Sequence, residues 1–480
     1  MISTKSSGQM SRQACGLIFV LVSSALAGTT AVSAQTLTTL TNLSYGEFPW
    51  GRLVVDANGN LFGTTGAGGA YGDGTVFEIA KTSSGYSSAP ITLVEFDDVN
   101  GSFPEAALIV DANGNLFGTT SAGGAYGDGT VFEIARTASG YASTPTTLVS
   151  FDDIHGSFPL AGLIADANGN LFGTTNAGGL YGDGTVFEIA KTSSGYASTP
   201  TTLVSFDNTN GAFPLAGLVA DANGNLFGTT VAGGVYGDGT VFEIARTSSG
   251  YASTPTTLVN FDYTNGAFPE AALIVDANGN LFGTTEAGGA HGFGTVFEIA
   301  NSGGVYASTP ITLFDFDNAN GAFPLASLLI DANGNLFGTT KYGGAYGAGT
   351  VFEIANSGGV YASTPTTLVS FNGTDGSHAV AGLITDTSGN LFGTTVDGGS
   401  TNTGTVFAIT GSGFVPPNAP PNVPPQPSNP FAGTPGSPNC IGKSISSLAH
   451  TYGGIAHAAP ALGYSSVSAL QDAIGNYCSK

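Results

Sequence analysis

Basic side chains are scarce in this chain. Its 480 residues carry ten Lys and Arg against 33 Asp and Glu, a formal net charge of −23. Such a chain lacks the cationic surface that phosphate backbones reward, which excludes nucleic acid as a partner. Docking on an anionic membrane surface is excluded on the same ground. Charged residues of both signs reach only 9%, against roughly 25% in an average soluble domain. Hydrophobic residues make up 41%, enough for a large core, so a disordered tail protein is excluded as well. Cysteine occurs three times, at Cys15, Cys440 and Cys478. No P-loop, no Gly-x-Ser-x-Gly elbow and no zinc signature is present. What is abundant is glycine, 74 residues of it.

The first 34 residues read as a targeting segment. Lys5 and Arg12 precede the apolar run Leu17–Ala27, which is too short to span a bilayer, and Val32-Ser33-Ala34 suits a cleavage site. The mature chain is expected to start at Gln35, with no membrane span, in the periplasm, at the cell surface or outside the cell. Loss of Lys5 and Arg12 takes the net charge from −23 to −25. Cys15 leaves with the segment, and the remaining pair, Cys440 and Cys478, is expected to form a disulfide in an oxidising compartment.

A repeat dominates the rest. Asp-Ala-Asn-Gly-Asn-Leu-Phe-Gly-Thr-Thr begins at Asp56 and recurs every 55 residues through Asp331, with a variant at Asp386, seven copies without an insertion. In the unit Phe103–Phe151, short strands are expected over Ala107–Asp111, Asn115–Thr120, Thr130–Ala135 and Thr146–Phe151. Asn113-Gly114 suits a type I′ hairpin turn. Four short antiparallel strands repeated seven times describe an all-β, seven-bladed β-propeller. The last unit lacks a fourth strand, and Thr38–Leu43 resembles Thr146–Phe151. The first strand is therefore expected to complete the last blade and leave no open edge. An open β-solenoid is the alternative, but it does not explain why the strand missing at one end appears at the other. Phenylalanines at the positions of Phe62, Phe77, Phe96 and Phe103 account for 26 of the 31 in the chain and are expected to pack between blades.

The run Gly-Asn-Leu-Phe-Gly-Thr-Thr…Gly-Gly…Gly-Thr-Val-Phe-Glu-Ile resembles the GloVer tandem repeat of secreted bacterial choice-of-anchor proteins, over Gln35 to about Gly413. The resemblance implies a propeller-like array, export and a variable C-terminal region for anchoring or sorting. It brings no catalytic residues.

The expected organisation is a signal peptide over 1–34, the propeller over 35–412, a linker over 413–439 with ten prolines, and a small helical module over 440–480. The module is short enough to need the Cys440–Cys478 staple.

Candidate chemistry is thinly spread. Asp-Ala-Asn-Gly-Asn has some likeness to a calcium loop, but the glycine and acid positions of an EF-hand do not match, and a hairpin turn explains it without a metal. No cofactor is expected, with calcium the one alternative. Candidate ligand-binding residues lie on two loops that share one face in a propeller. The loop between the second and third strands supplies Tyr71, Asp73, Tyr126, Asp128, Tyr181, Asp183, Tyr236, Asp238 and His291. The connection to the next blade supplies Asp97, Asp152, Asp207, Asp262 and Asp317. Tyrosines beside carboxylates can hold sugars or cations, while Gly and Asp are also ordinary turn formers. Residues that break the repeat are Glu286, His291, Phe293, Lys341, Tyr342 and His378. The expectation is a monomeric binding or adhesion protein that presents a multivalent acidic face to a glycan, a cation or a cell-surface protein. The alternatives are a carbohydrate-active lyase or hydrolase and a purely structural spacer.

Overall fold

A computed structural model of the chain describes residues 35–44 and 47–417, and Ile474 beyond them. The expected signal segment, the linker after Pro417 and the helical module with its Cys440–Cys478 bridge lie outside the described residues. Seven four-stranded antiparallel sheets follow one another at the 55-residue step. In blade 2 the strands are Ile109–Val110, Leu116–Thr120, Thr130–Ile134 and Thr146–Ser150, in spatial order from the axis outward. Blade 7 takes its outer strand from the N-terminus: Thr36–Asn42 pairs antiparallel with Thr405–Thr410. The ring is closed as the sequence implies. Each blade but the last also carries a two-stranded hairpin that the sequence reading missed, Arg136–Thr137 with Gly140–Tyr141 in blade 2.

Packing follows from the pleat. Alternate residues of each strand face the neighbouring blade, and every core cluster joins two blades. Phe62, Val76 and Phe96 of blade 1 meet Leu108, Leu116 and Phe132 of blade 2. Phe96 stands edge-on to Phe132 at 5.0 Å between ring centres, the arrangement that ring quadrupoles favour. Gly118 is glycine because the ring of Phe132 lies where a side chain would go: a Cβ there would sit 2.6 Å from Phe132 Cζ. The fourth phenylalanine position departs from expectation. Phe103, Phe158 and Phe213 are 40–45% exposed, on left-handed backbone with φ of 56° to 58°. Such a φ costs about 1–3 kcal/mol outside glycine. Here it lets one residue bridge two blades: Phe103 N donates to Asp73 O, and Phe103 O accepts from Ser121 N.

The two threonines of the repeat tie the ring together. The first donates its hydroxyl to a carbonyl of the connection into the next blade, as Thr119 Oγ1 does to Ala161 O at 3.0 Å. All seven blades make this bond at 2.9–3.3 Å, and the seventh closes the circle from Thr394 to Pro49. The second threonine bonds within its blade, Thr120 Oγ1 to Thr130 Oγ1 at 2.8 Å.

The Asn113-Gly114 turn also differs from its expected form. A type I′ turn needs positive φ at both residues, and only Gly114 has it, at 83°. Gly114 N donates to Asp111 O, and Asp111 N to Asn115 O. This is a type I turn closed by a glycine bulge. Asp111 organises it: Oδ1 accepts from the backbone N–H of Asn113 and Asn115, and Oδ2 from their side-chain amides. Four donors converge on one carboxylate.

Thr229 is almost fully buried, so its replacement by valine leaves Ala271 O without its donor at unchanged volume. Thr229→Val is expected to lower the unfolding free energy by about 1–3 kcal/mol, with Thr229→Ser closer to wild type, as read from urea unfolding.

Candidate functional site

The second-to-third-strand loops and the inter-blade connections share one face, as expected, and are hydrogen-bonded to each other through Ser102 N to Ala122 O and its equivalents. The predicted tyrosines stand at the rim of that face. Tyr71, Tyr126, Tyr181 and Tyr236 are 59–67% exposed, and none lines the hollows at the axis. His291 is exposed at the tip of its loop. The aspartates of the connections close their own turns. Asp97 and Asp317 accept from the backbone of Asn100 and Asn320. Asp152 accepts from His155. Asp207 and Asp262 accept the hydroxyls of Thr209 and Thr264 at 2.7 Å, and those bonds hold both carboxyls below their ordinary pKa. Asp73 takes part through its backbone, and Asp128 is pushed up by burial and by the nearby Asp153 and Asp152. Asp183 and Asp238 repeat the Asp73 role, each carbonyl accepting from the next phenylalanine N–H. The repeated aspartates thus help to build their loops, and the tyrosines stand exposed around the rim.

The repeat-breaking residues behave differently. At the axis of the ring, one residue from each connection lines a hollow of about 320 Å³: Trp50, Glu105, Leu160, Leu215, Glu270, Leu325 and Val380. Since all seven occupy one repeat position, this hollow is the mouth of the central channel. Beside it lies a second hollow of about 330 Å³ lined by Phe48, Trp50, Lys341, Tyr342, His378 and Asp397. His378 stands where other blades have phenylalanine, and its Nδ1 lies 2.7 Å from Asp397 Oδ2. Tyr342 stands edge-on to His378 at 4.8 Å and to Phe323 at 5.9 Å, and Phe293 extends this aromatic row.

Glu270 and Glu286 meet at the same mouth. Burial pushes the Glu270 carboxyl up to about 7, the charge of Glu286 and its hydrogen bond push the same way, and Lys341 opposes them. Glu105, the equivalent of Glu270 in blade 2, is raised by burial while a bond from Ser121 opposes. Four of the six repeat-breakers named from sequence, Glu286, Lys341, Tyr342 and His378, therefore gather around one opening. The sequence reading missed Trp50, Glu105, Glu270 and Asp397. Aligning the seven copies would have found three of them, since that column reads Trp, Glu, Leu, Leu, Glu, Leu, Val.

Glu270 holds a proton in the folded protein that the unfolded chain has already released between about pH 4.5 and 7. Stability is therefore expected to fall as pH rises through that window. Glu270→Gln is expected to flatten the slope and to exceed wild type in stability above pH 7, as read from urea midpoints at pH 5 and pH 8.

Comparison with solved structures finds chains that align with this one in part. The extracellular domain of BT4673, a presumed hybrid two-component system of B. thetaiotaomicron, aligns at 12% identity with a TM-score of 0.47. The alignment covers 78% of this chain, which spans only 39% of that domain. A presumed 6-phosphogluconolactonase from Bacteroides uniformis aligns at 12% identity with a TM-score of 0.43, covering 66% of this chain and 85% of that one. Neither likeness carries a function to this chain. The comparison with curated proteins finds no match. The pattern of one family, described as the Gloeobacter/Verrucomicrobia repeat, matches residues 3–163, 137–275 and 252–415. With that pattern spanning nearly the whole of the ring, and its seven copies closing into seven blades, the chain belongs to the Gloeobacter/Verrucomicrobia repeat family.

Proposed function

We propose that this protein is an exported binding protein that holds one sugar-like ligand at the mouth of its channel. The observation that carries the reading is the clustering of departures from the repeat at a single opening. Seven near-identical blades need no Trp, His–Asp pair or Glu–Glu–Lys group to fold, yet these converge there. Trp50, Tyr342 and Phe48 offer apolar faces for a sugar ring. His378, Asp397, Lys341 and the two glutamates offer donors and acceptors for its hydroxyls. Concave hollows with aromatic walls and a few convergent polar groups are the usual form of a small-ligand site. The targeting segment expected over residues 1–34 supports an exported location, and a glycan outside the cell is a partner of matching chemistry. The site is single, so avidity across blades is not required.

A second reading has one observation in its favour. A carboxyl raised to about 7, as that of Glu270 is beside Glu286, is equipped for acid–base catalysis. A glycosidase pair, however, flanks a glycosidic bond at about 5 Å or more, and Glu270 is hydrogen-bonded to Glu286. That proximity favours binding over glycoside hydrolysis.

The chain contains a single Trp, so its fluorescence reports on this site alone. Titration with a panel of neutral oligosaccharides is expected to change Trp50 emission saturably for at least one member. Tyr342→Ala and His378→Ala are expected to weaken that binding about ten-fold or more, and Tyr126→Ala to leave it unchanged. Loss of binding in Tyr126→Ala with retention in Tyr342→Ala would move the ligand to the rim. Release of shorter sugars, abolished by Glu270→Gln, would establish the enzymatic reading.

A further inference from the structure

Six cations lie among the described residues. Lys81, Arg136, Lys191 and Arg246 occupy one repeat position and lie 3.7–4.5 Å from the ring centres of Tyr86, Tyr141, Tyr196 and Tyr251. Lys341 stands at the channel mouth, over Tyr342 at 5.3 Å. Arg52 is the remaining one. It points into a chamber of about 600 Å³ that continues the channel below the mouth and ends near Pro417. No hydrogen bond or ion pair engages it among the described residues. Its repeat column explains the room it has: the other blades carry Ala107, Gly162, Gly217, Ala272, Ser327 and Gly382. Ser327 likewise has no hydrogen-bond partner among the described residues. The two flank Gly382, where an added Cβ would lie 2.8 Å from Ser327 Oγ and 3.2 Å from Arg52 Cδ.

The side chain of Arg52 is exposed to the chamber, so its guanidinium stands there without a protein carboxylate and is free to take an anion with its planar fork. A guanidinium remains protonated at any physiological pH. We propose that the chamber binds a small monocarboxylate with an apolar body, its carboxylate taken by Arg52 and Ser327 across Gly382. The planar fork of arginine matches a carboxylate with two parallel bonds. One cation answers one negative charge, whereas a phosphate dianion would bring a second into a chain of net charge −23. Beyond the guanidinium the walls are Ile109, Ile164, Val219, Ile274 and Leu329, which suit hydrocarbon. This site stands independently of the sugar reading at the mouth, because it uses none of the same side chains.

The test uses the full chain, whose four arginines give a sparse set of Nε–H resonances. Acetate, butyrate and hexanoate at up to tens of millimolar are expected to shift the Arg52 resonance. Affinity is expected to rise about four-fold per added methylene, the equivalent of about 0.8 kcal/mol. Arg52→Ala should fold about as stably as wild type, since the side chain is exposed to the chamber, and lose hexanoate binding more than ten-fold, measured by thermal shift. Ser327→Ala should weaken it several-fold. Gly382→Val, which keeps both donors but fills the space between them, should also lose it. Absence of any Arg52 shift, tighter binding of inorganic phosphate than of hexanoate, or equal binding of hexanol would each overturn the proposal.

Discussion

The belt of seven threonine hydroxyls, each donating to a carbonyl of the next blade, is the constraint on which the ring depends. It is buried, so each bond replaces water rather than competing with it, and each omission would strand a carbonyl in the core. The belt also sets the step from blade to blade: the hydroxyl comes from the second strand, and the carbonyl from the connection that starts the next sheet. A fixed step of 55 residues then gives a fixed rotation, and seven such rotations complete the circle. The final bond, Thr394 Oγ1 to Pro49 O, spans 345 residues of sequence. Pairing of the first strand with the last does the same work in backbone bonds and removes the sheet edge that would otherwise invite association.

Because every blade solves the same packing problem, the repeat positions are occupied by scaffold. Phe62, Phe77 and Phe96 fill space between blades, Gly118 makes way for a ring, and Asp111 gathers a turn. A residue that differs between copies is released from that duty. Those that differ at the axis share one small volume, because the axis is where equivalent positions from seven blades come within reach of one another. Near-perfect repetition at the periphery and chemical variety at the centre are therefore two consequences of one geometry. The tail adds to the asymmetry on the opposite side. Phe414 is buried against Phe337 at 5.0 Å, and Val415 pairs with Ala332 through the backbone. The first residues of the expected linker are part of the ring, not a free spacer.

Much of the fold was legible in the sequence. Period, strand number and the missing strand supplied by Thr38–Leu43 needed only the spacing of Gly, Asn and Phe. The extra hairpin at Arg136–Tyr141 was hidden because its two-residue strands are too short to show alternation. Phe103 looked like a core residue by composition, and its left-handed backbone is set by bonds to two different blades, which no local pattern records. The candidate site was half legible. Glu286, Lys341, Tyr342 and His378 announced themselves as departures from the repeat. The rim tyrosines recur with the repeat, and the closed ring leaves them exposed around the rim and away from the axis. Trp50 and Glu270 precede the inner strands in segments without regular structure, and only the closed ring brings them face to face.

The account rests on the claim that a seven-fold scaffold carries one site, made by its exceptions. Calorimetric stoichiometry with the oligosaccharide that moves Trp50 emission tests this most directly. The account predicts one ligand per chain with a single affinity. A stoichiometry of four or more would contradict it, and would return the binding role to the repeated tyrosines and aspartates of the rim.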